Sequence, residues 1–237
     1  MTGTLRGREI ILAGGTGGLG SATAALLAQE GASVILGYRA NHERAERMGR
    51  DHRVVQADLG SEDDRGALLD SASELYGLVI LTGDPARGSN LAETLPRSFE
   101  ANFAGPVLLA REAADRMQAR GTAGAIVFLG TMQAAAVFPN STAYAAQKAA
   151  LVHAARVLAK ELRGPANIRV NTVNPGVTEA GMAQASVASG KYERHLLEGA
   201  IPRYGKAEDV ARAIRFLLEP DNYVTGQVLT VDGGLTL

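Results

Sequence analysis

The sequence predicts a single α/β domain in which about seven parallel strands form a doubly wound sheet flanked by helices. Short apolar runs alternate with longer helical patterns along the whole chain, as in repeated strand–helix units. The runs are apolar at nearly every position, which is typical of strands buried on both faces. The chain has 237 residues, 46% of them hydrophobic, which suits one large core better than two. We therefore expect one domain over 1–237.

In the first half of the chain, each predicted strand leads through a turn into a helix. Asn41 and Ser61 stand at N-cap positions, and Asp64 follows Ser61 as in a capping box with Asp in place of Glu. The predicted order is strand 9–13, helix 21–30, strand 33–38, helix 42–50, strand 53–57 and helix 61–76.

The second half repeats this alternation. The predicted order is strand 78–82, helix 98–120, strand 125–129, helix 141–163, strand 168–173, helix 208–218 and strand 228–231. Residues 176–205 are rich in glycine and show the least regular pattern. We expect this stretch to be an insertion that can move and that lines the substrate site.

Charge and composition exclude several classes of function. The 24 basic residues are balanced by 25 acidic ones, which argues against a nucleic-acid or membrane-surface partner. The absence of cysteine excludes disulfides, thiolate nucleophiles and Cys-based metal sites, and the four histidines show no paired metal spacing. No apolar run reaches the ~18 residues of a membrane span, and the first residues lack a signal-peptide pattern. We therefore expect a cytoplasmic protein without a bound metal.

A glycine-rich turn joins the first strand to the first helix. It contains both Gly15-x-Gly17-x-x-Gly20 and Gly14-x-x-x-Gly18-x-Gly20. Bare backbone at this point lets a pyrophosphate approach the N–H groups at the start of the helix. The strand–turn–helix context favours nucleotide binding in a Rossmann-like domain over the alternative, a turn whose glycines serve only packing.

Tyr144 and Lys148 form the second functional signal. Four residues apart on a helix, they share one face, and a nearby ammonium group favours the ionised form of a phenol. The pair can therefore donate and accept a proton. The alternative is two unrelated surface side chains, but only four lysines occur in the chain and this one lies in an uncharged segment.

Together these motifs resemble the short-chain dehydrogenase/reductase family over essentially the whole chain. Beyond the glycine loop and the Tyr144–Lys148 pair, the resemblance rests on Asp58-Leu59, Asn102, Thr131, Asn174-Pro175-Gly176 and Val231-Asp232-Gly233-Gly234. It implies a nicotinamide-dependent oxidoreductase that acts on a small-molecule carbonyl or alcohol and assembles as a homotetramer, with a dimer as the alternative.

The resemblance implies four catalytic residues. Tyr144 would be the acid/base, and Lys148 would hold the nicotinamide ribose and lower the pKa of Tyr144. Asn102 would support a water-linked proton relay to Lys148; its alternative is a helix-interior Asn bonded to nearby backbone. Thr131 stands where the family has a serine and would orient the substrate carbonyl, whereas Ser141 and Thr142 are better read as helix caps.

The resemblance also implies where a dinucleotide binds. Asp58 would bond the adenine amino group, unless it only caps the next helix. Tyr38 replaces the acidic residue of NAD binders, and Arg39 can hold a 2′-phosphate, so we expect NADP(H) to be preferred, with NAD(H) possible. The cofactor-binding positions are Gly14, Thr16, Gly17, Gly18, Leu19, Gly20, Arg39, Asp58, Leu59, Gly83, Tyr144, Lys148, Pro175, Gly176, Val177 and Thr178.

Some positions depart from the family pattern. Ala13 replaces a threonine, and Ile80-Leu81-Thr82-Gly83 replaces Asn-Asn-Ala-Gly, so only the glycine remains. The family's enoyl reductases place the lysine further along the helix, where Leu151 stands, which favours a reductase of ketones. We expect the substrate pocket to include Gln133, Ala134, Phe138, Met182 and Tyr192.

Two other functions stay open at the sequence level. One is a catalytically silent nucleotide-binding regulator on the same fold, because fold alone does not determine function. The other is a reductase of β-ketoacyl thioesters, whose acidic carriers would favour a basic patch near 176–205. That stretch has balanced charges: Lys191, Arg194 and Arg203 against Glu179, Glu193 and Glu198.

Overall fold

The computed structural model describes residues 4–88 and 90–237, through which a sheet of seven parallel strands runs. The strands are β1 (Glu9–Ala13), β2 (Ser33–Tyr38), β3 (Arg53–Gln56), β4 (Leu75–Ile80), β5 (Gly124–Leu129), β6 (Ile168–Pro175) and β7 (Val228–Val231). Their order across the sheet is β3-β2-β1-β4-β5-β6-β7. The order reverses between β1 and β4, which opens a crevice at the carboxyl ends of these strands. The predicted fold class is confirmed.

Helices connect the strands and cover both faces of the sheet. They are α1 (Gly18–Gln29), α2 (His42–Met48), α3 (Glu62–Asp70), α4 (Leu91–Phe99), α5 (Gly105–Ala119), α6 (Thr142–Glu161), α7 (Gln184–Ala188), α8 (Glu193–Leu197) and α9 (Ala207–Leu218). A π-helical turn, Glu100–Ala104, joins α4 to α5. Such turns often occur at functional positions inside helices.

The side chains of β1 divide alternately between two apolar cores. Ile11 and Ala13 pack in the core that contains residues of α5 and α6. Ile10 and Leu12 pack in the core that contains residues of α1 and α9. Successive side chains of a strand point to opposite faces, so a strand buried on both faces must be apolar throughout. This explains why the strands are continuous apolar runs in the sequence.

Both predicted N-caps form in the structure. The Asn41 side chain accepts a hydrogen bond from Arg44 N at 2.9 Å, and Ser61 Oγ accepts one from Asp64 N at 3.2 Å. The reciprocal half of the predicted capping box is absent, because the Asp64 carboxylate accepts a hydrogen bond from Asp58 N at 2.8 Å instead. Asp64 therefore ties the start of α3 to the turn that follows β3.

Two predicted boundaries in the middle of the chain are wrong. The helix predicted over 61–76 ends at Asp70, because Leu75 and Tyr76 already belong to β4, which pairs with β1. Apolar spacing in this stretch fits a helix as well as a buried strand, and sheet pairing decides between them. The helix predicted from position 98 already begins at Leu91, after Asn90, whose side chain accepts a hydrogen bond from Ala92 N.

The stretch 176–205 follows β6 and contains α7, α8 and a short 3-10 turn over Gly181–Ala183. Across the described parts of the chain, no helix combines the length and the apolar character needed to cross a bilayer. Within the same residues, no group of three or more His, Asp or Glu side chains is arranged to hold a metal ion.

Candidate active site

Most of the predicted site residues lie where the chain leaves the carboxyl ends of four neighbouring strands. Gly14 follows β1, Thr82 follows β4, Thr131 follows β5, and Pro175 ends β6. Helix α6 brings Tyr144 and Lys148 to the same edge. This is the edge at which open parallel sheets bind ligands, because the strand order reverses there.

The glycine loop is shaped by close backbone contacts. Gly14 has φ +80°, a conformation that side chains other than glycine rarely adopt. A Cβ on Gly15 would lie 2.7 Å from Leu12 O, and a Cβ on Gly20 would collide with the carbonyl of Gly15. These glycines let α1 approach β1, so part of the glycine pattern does serve packing.

The first turn of α1 has no side chain that competes with an anionic ligand. Its N-cap is Gly17, no side chain caps it, and its first turn contains no acidic residue. The free N–H groups of a first turn and the helix dipole favour a phosphate at this position. Thr82 Oγ1 is buried and has no hydrogen-bond partner among the described residues, and its Cγ2 would lie 3.2 Å from a Cβ on Gly14. The cradle and the unpartnered hydroxyl both fit a bound dinucleotide.

Lys148 is buried at the centre of the site. Its side chain is 1% exposed, and its Nζ donates hydrogen bonds to Leu129 O at 2.8 Å and to Thr82 O at 3.2 Å. Burial lowers the pKa of Lys148 to about 7. An ammonium group has three N–H donors, so these two carbonyls leave one for a ligand.

Tyr144 precedes Lys148 by one turn of α6. Burial raises the pKa of Tyr144 to about 12, a hydrogen bond with the Thr131 side chain opposes this rise, and the nearby Tyr192 phenol adds to it. The expected lowering of the Tyr144 pKa by Lys148 is not found. Lys148 binds two carbonyls, and its own lowered pKa leaves it only partly charged at neutral pH.

Thr131 is held by two hydrogen bonds, one to its hydroxyl group and one from its main-chain N–H. It is the N-cap of a 3-10 turn (Met132–Ala134), and its Oγ1 accepts a hydrogen bond from Gln133 N at 3.3 Å. Its main-chain N donates to Asn174 Oδ1 at 3.1 Å. Because the Thr131 oxygen accepts from Gln133, its hydroxyl proton is left to be donated. Asn174 is the positioning residue that sequence reasoning missed, although it belongs to the quoted Asn-Pro-Gly motif.

The alternative hydroxyl, Ser141, is engaged elsewhere. Ser141 occupies the N-cap position of α6 but does not cap it with its side chain, because its Oγ donates to Phe138 O at 2.6 Å. The expectation that its hydroxyl caps the helix is therefore wrong. Thr142 is the first residue of α6.

Asn102 is fully buried in the π-helical turn. Its Oδ1 accepts from Asp84 N at 3.0 Å, and its Nδ2 donates to Asp84 O at 2.9 Å and to Ser98 Oγ at 3.1 Å. The side chain thus clamps the loop after β4. A Cβ on Gly83 would lie 3.0 Å from Asn102 Oδ1 and 3.6 Å from Lys148 Nζ, so Gly83 allows the loop to approach both.

The residues expected at the adenosine end lie after β2 and β3. Asp58 is exposed, and its Oδ1 accepts from Gly60 N at 3.0 Å. Leu59 is buried in the apolar core, so only its main chain is available to a ligand. Arg39 is exposed after β2, and Arg44 Nη2 donates to Ser21 Oγ on α1 at 3.3 Å. The sequence pattern did not single out Arg44, because its contact with Ser21 depends on how α2 packs beside α1.

A cavity of about 920 Å³ opens beside Tyr144 and extends to the end of β6. Its wall includes Thr131, Tyr144 and Tyr192 together with Leu19 of α1. The residues from Pro175 to Thr178, which the resemblance assigns to the nicotinamide side, also line it. Of the predicted pocket residues, Gln133, Phe138, Met182 and Tyr192 line the cavity, whereas Ala134 does not.

The segment 180–182 lies over the glycine loop. A Cβ on Gly18 would be 2.6 Å from Gly181 N, and Met182 Cε would be 3.6 Å from a Cβ on Gly83. The stretch 176–205 thus covers both the start of α1 and the position in front of Lys148.

The chain is similar in sequence and structure to known oxidoreductases. Residues 13–236 match a family model described as enoyl-(acyl carrier protein) reductase. A short-chain type dehydrogenase/reductase of Picea abies is 32% identical, covering 97% of this chain and 93% of that protein. NADPH-dependent aldehyde reductase 2, chloroplastic, of Arabidopsis thaliana is 30% identical, covering 98% and 95%. A short-chain type dehydrogenase/reductase of Mycobacterium ulcerans superposes with a TM-score of 0.89 at 27% identity, covering 98% and 90%.

Proposed function

Because this chain belongs to the short-chain dehydrogenase/reductase family of oxidoreductases, we propose that it uses NADP(H) to interconvert a ketone and a secondary alcohol. The observation that carries the proposal is that Thr131 and the buried Tyr144 line the same cavity, at the carboxyl ends of the strands. A buried phenol with a raised pKa is neutral at pH 7, so Tyr144 has a proton to give to a carbonyl oxygen.

Two hydroxyl groups act on the substrate oxygen. When bound, NADPH supplies the hydride that reduces the carbonyl carbon. As negative charge develops on the carbonyl oxygen, Tyr144 transfers its phenolic proton to that oxygen. Thr131 donates a hydrogen bond to the same oxygen, and donors fixed in advance stabilise such charge strongly. In alcohol oxidation, the Tyr144 oxygen takes the proton back.

Lys148 and Asn102 act behind the two hydroxyl groups. Lys148 would hold the nicotinamide ribose with its remaining N–H donor. Its pKa of about 7 suits a group that returns a proton to Tyr144 at neutral pH. Asn102 would support this relay as a positioning residue, because its amide binds Asp84 and Ser98.

The preference for NADP(H) rests on the residues near the end of β2. No carboxylate stands at position 38, and the cationic side chains of Arg39 and Arg44 come from either end of the loop. Guanidinium groups bind phosphate through charge-assisted hydrogen bonds. The name of the NADPH-dependent relative from Arabidopsis thaliana supports the same preference.

A second candidate is the reduction of thioesters carried by an acyl carrier. It is favoured by the description of the matching family model. The four-residue spacing between Tyr144 and Lys148 favours ketone reduction within this family over enoyl reduction. A silent regulator remains the third candidate, although a regulator has no need of a neutral buried phenol paired with a hydroxyl donor.

The test is NADPH oxidation against ketones, diketones, quinones, β-ketoacyl thioesters and enoyl thioesters, with NADH in parallel. We expect at least one ketone to be reduced with NADPH, and Tyr144→Phe to abolish this turnover. Tyr223→Phe is the matched control, because Tyr223 is fully exposed. Turnover of β-ketoacyl or enoyl thioesters alone would assign the second candidate, and NADPH binding without any turnover would assign the regulator.

The proposal includes a homotetramer, as the family resemblance implies. Apolar side chains of α4, α5 and α6 are almost half exposed: Phe99, Leu108 and Val157. Exposed apolar side chains on neighbouring helices suit burial against a second copy across a symmetry axis.

A further inference from the structure

The wall of the cavity carries cationic side chains and no carboxylate. Arg87, Lys191 and His195 line it, and none of its lining residues is Asp or Glu. Arg87 comes from the loop between β4 and α4, whereas Lys191 and His195 come from the stretch 176–205. Cationic groups from both sides of one opening raise the local concentration of anions inside it.

None of the acidic residues of the same segments lines the cavity, and two of them are held in ion pairs. Glu198 pairs with Arg194 at 2.6 Å, and neither lines the cavity. Asp84 lies near Arg87 in sequence, but its carboxylate pairs with Arg97 at 3.1 Å. Within the described residues, no ion pair includes Arg87, Lys191 or His195. Their positive and polar groups are therefore available to a ligand.

One aromatic ring separates this basic cluster from the reacting atoms. The Tyr192 phenol is close enough to Tyr144 to raise its pKa. Lys191 Nζ lies 5.4 Å from the centre of the Tyr192 ring, and the His195 ring stacks on it with 6.3 Å between centroids. A substrate whose carbonyl oxygen meets Tyr144 thus extends along Tyr192 toward Lys191 and His195.

We propose that the substrate is a small carbonyl compound bearing a carboxylate or phosphate, which Lys191, His195 and Arg87 bind at the cavity mouth. This inference rests on the proposed function, since it names the substrate class of the same site. The chemistry is a charge-assisted hydrogen bond from Lys191 to the anion, with His195 as a further donor. Because Tyr192 neighbours both Tyr144 and Lys191, the arrangement suits an anion on the substrate itself better than the distant phosphate of a carrier arm.

The test compares ketoacids with their uncharged methyl esters: 4-acetylbenzoate, phenylglyoxylate and 4-oxopentanoate, each with NADPH. We expect kcat/KM for the best acid to exceed that of its ester by about ten-fold or more, since hydrogen bonds to charged groups are the stronger ones. Lys191→Gln should raise KM for the acid by about ten-fold, with little change in kcat and none for the ester. Higher salt should weaken the preference for the acid.

Arg194→Gln is the matched control. It removes the same charge from a neighbouring position that is exposed and paired with Glu198 outside the cavity. It should leave the acid-to-ester ratio unchanged. Because Lys191 is exposed, its replacement is not expected to unfold the chain, and thermal unfolding would verify this.

Three results would overturn the inference. Esters reduced as well as acids would remove the anion requirement while leaving the proposed function intact. Equal effects of Lys191→Gln and Arg194→Gln would reduce the cluster to a general surface charge. The parent chain could prefer acetoacetyl-CoA to the neutral acetoacetyl-N-acetylcysteamine. If Lys191→Gln removed that preference, Lys191 would be assigned to a carrier phosphate. If no carbonyl compound of either charge is reduced, the proposed function itself fails.

Discussion

Asn174 Oδ1 accepts a 3.1 Å hydrogen bond from the main-chain N–H of Thr131. The same oxygen occupies the space in which a Cβ on Gly130 would lie. Asn174 is buried near the end of β6, and Thr131 follows β5, so the contact joins the ends of two adjacent strands. It holds Thr131 at the wall of the cavity that Tyr144 also lines, and it explains why glycine precedes Thr131.

This relationship predicts a coupling between positions 130 and 174. Gly130→Ala should lower the free energy of unfolding by about 1–3 kcal/mol. The added methyl group displaces the Asn174 amide and leaves buried polar groups unpaired. Gly130→Ala combined with Asn174→Ala should cost less than the sum of the single changes, because the amide is no longer in the way. Urea unfolding of the four proteins in this cycle measures the coupling; strict additivity would contradict the contact.

Thr131 is expected to control turnover rather than cofactor binding. Thr131→Ala should lower kcat by ~10²–10³, as the loss of one preorganised donor does in other enzymes. Thr131→Ser should keep most of the activity, because it removes only a methyl group. Turnover of any accepted ketone is measured beside NADPH affinity. Ser141→Ala is the control, since its hydroxyl binds Phe138 O; if it abolishes turnover while Thr131→Ala does not, Thr131 is the wrong hydroxyl.

The buried Lys148 predicts a pH-dependent stability. The pKa of an unfolded lysine is about 10.4, and burial lowers that of Lys148 in the folded chain to about 7. Between these values the unfolded chain binds more protons, so the free energy of unfolding rises with pH. The penalty of burying the charge is fully present below the folded pKa and is lost as pH rises through the unfolded pKa.

Lys148→Met removes this titration. Its stability gain over the parent chain should be largest below about pH 7 and should shrink by about 1.4 kcal/mol per pH unit up to about pH 9. Urea unfolding at several pH values measures the difference. Lys160→Met, on the exposed side of the same helix, should show no such trend, and a parallel trend in both variants would contradict the burial effect.

Arg39 and Arg44 are expected to discriminate between the two nicotinamide cofactors. Arg39→Ala and Arg44→Ala should each weaken NADPH binding by about ten-fold, because each removes a charge-assisted bond to the 2′-phosphate. NADH binding should stay unchanged, since NADH lacks that phosphate. Calorimetric titration measures both affinities. Arg47→Ala, at an exposed position of the same helix, is the control, and similar affinities for both cofactors in the parent chain would refute the preference.

The exposed apolar side chains of α5 and α6 predict an oligomer that charge can disrupt. Light scattering should give the mass of a tetramer for the parent chain and a smaller assembly for Leu108→Glu with Val157→Glu, because a charge without a partner is costly in an apolar interface. Leu197→Glu is the control, since Leu197 is more exposed than either residue but lies outside these helices. A monomeric parent chain at micromolar concentration would contradict the assembly.

The alternation of strands and helices along the chain followed from local patterns, with errors at some boundaries. One failure occurred where one apolar spacing fits two structures: Leu75 and Tyr76 satisfy a helix period and yet belong to β4, in which Leu75 pairs with Glu9 of β1. The outcome there depends on a partner strand far away in the sequence. The same limit applies to Asn174, whose motif was visible but whose contact with Thr131 crosses between strands.

Local spacing by itself determined which runs became buried strands, that Tyr144 and Lys148 share a helix face, and where the glycine turn opens α1. Only the tertiary structure decided which charges face the cavity. Lys191 and His195 line it while their sequence neighbours Arg194 and Glu198 pair outside, so a segment with balanced composition presents one sign of charge to a substrate. It also decided the raised pKa of Tyr144 and the lowered pKa of Lys148. Desolvation depends on the atoms packed around a group, and most of those atoms come from distant parts of the chain.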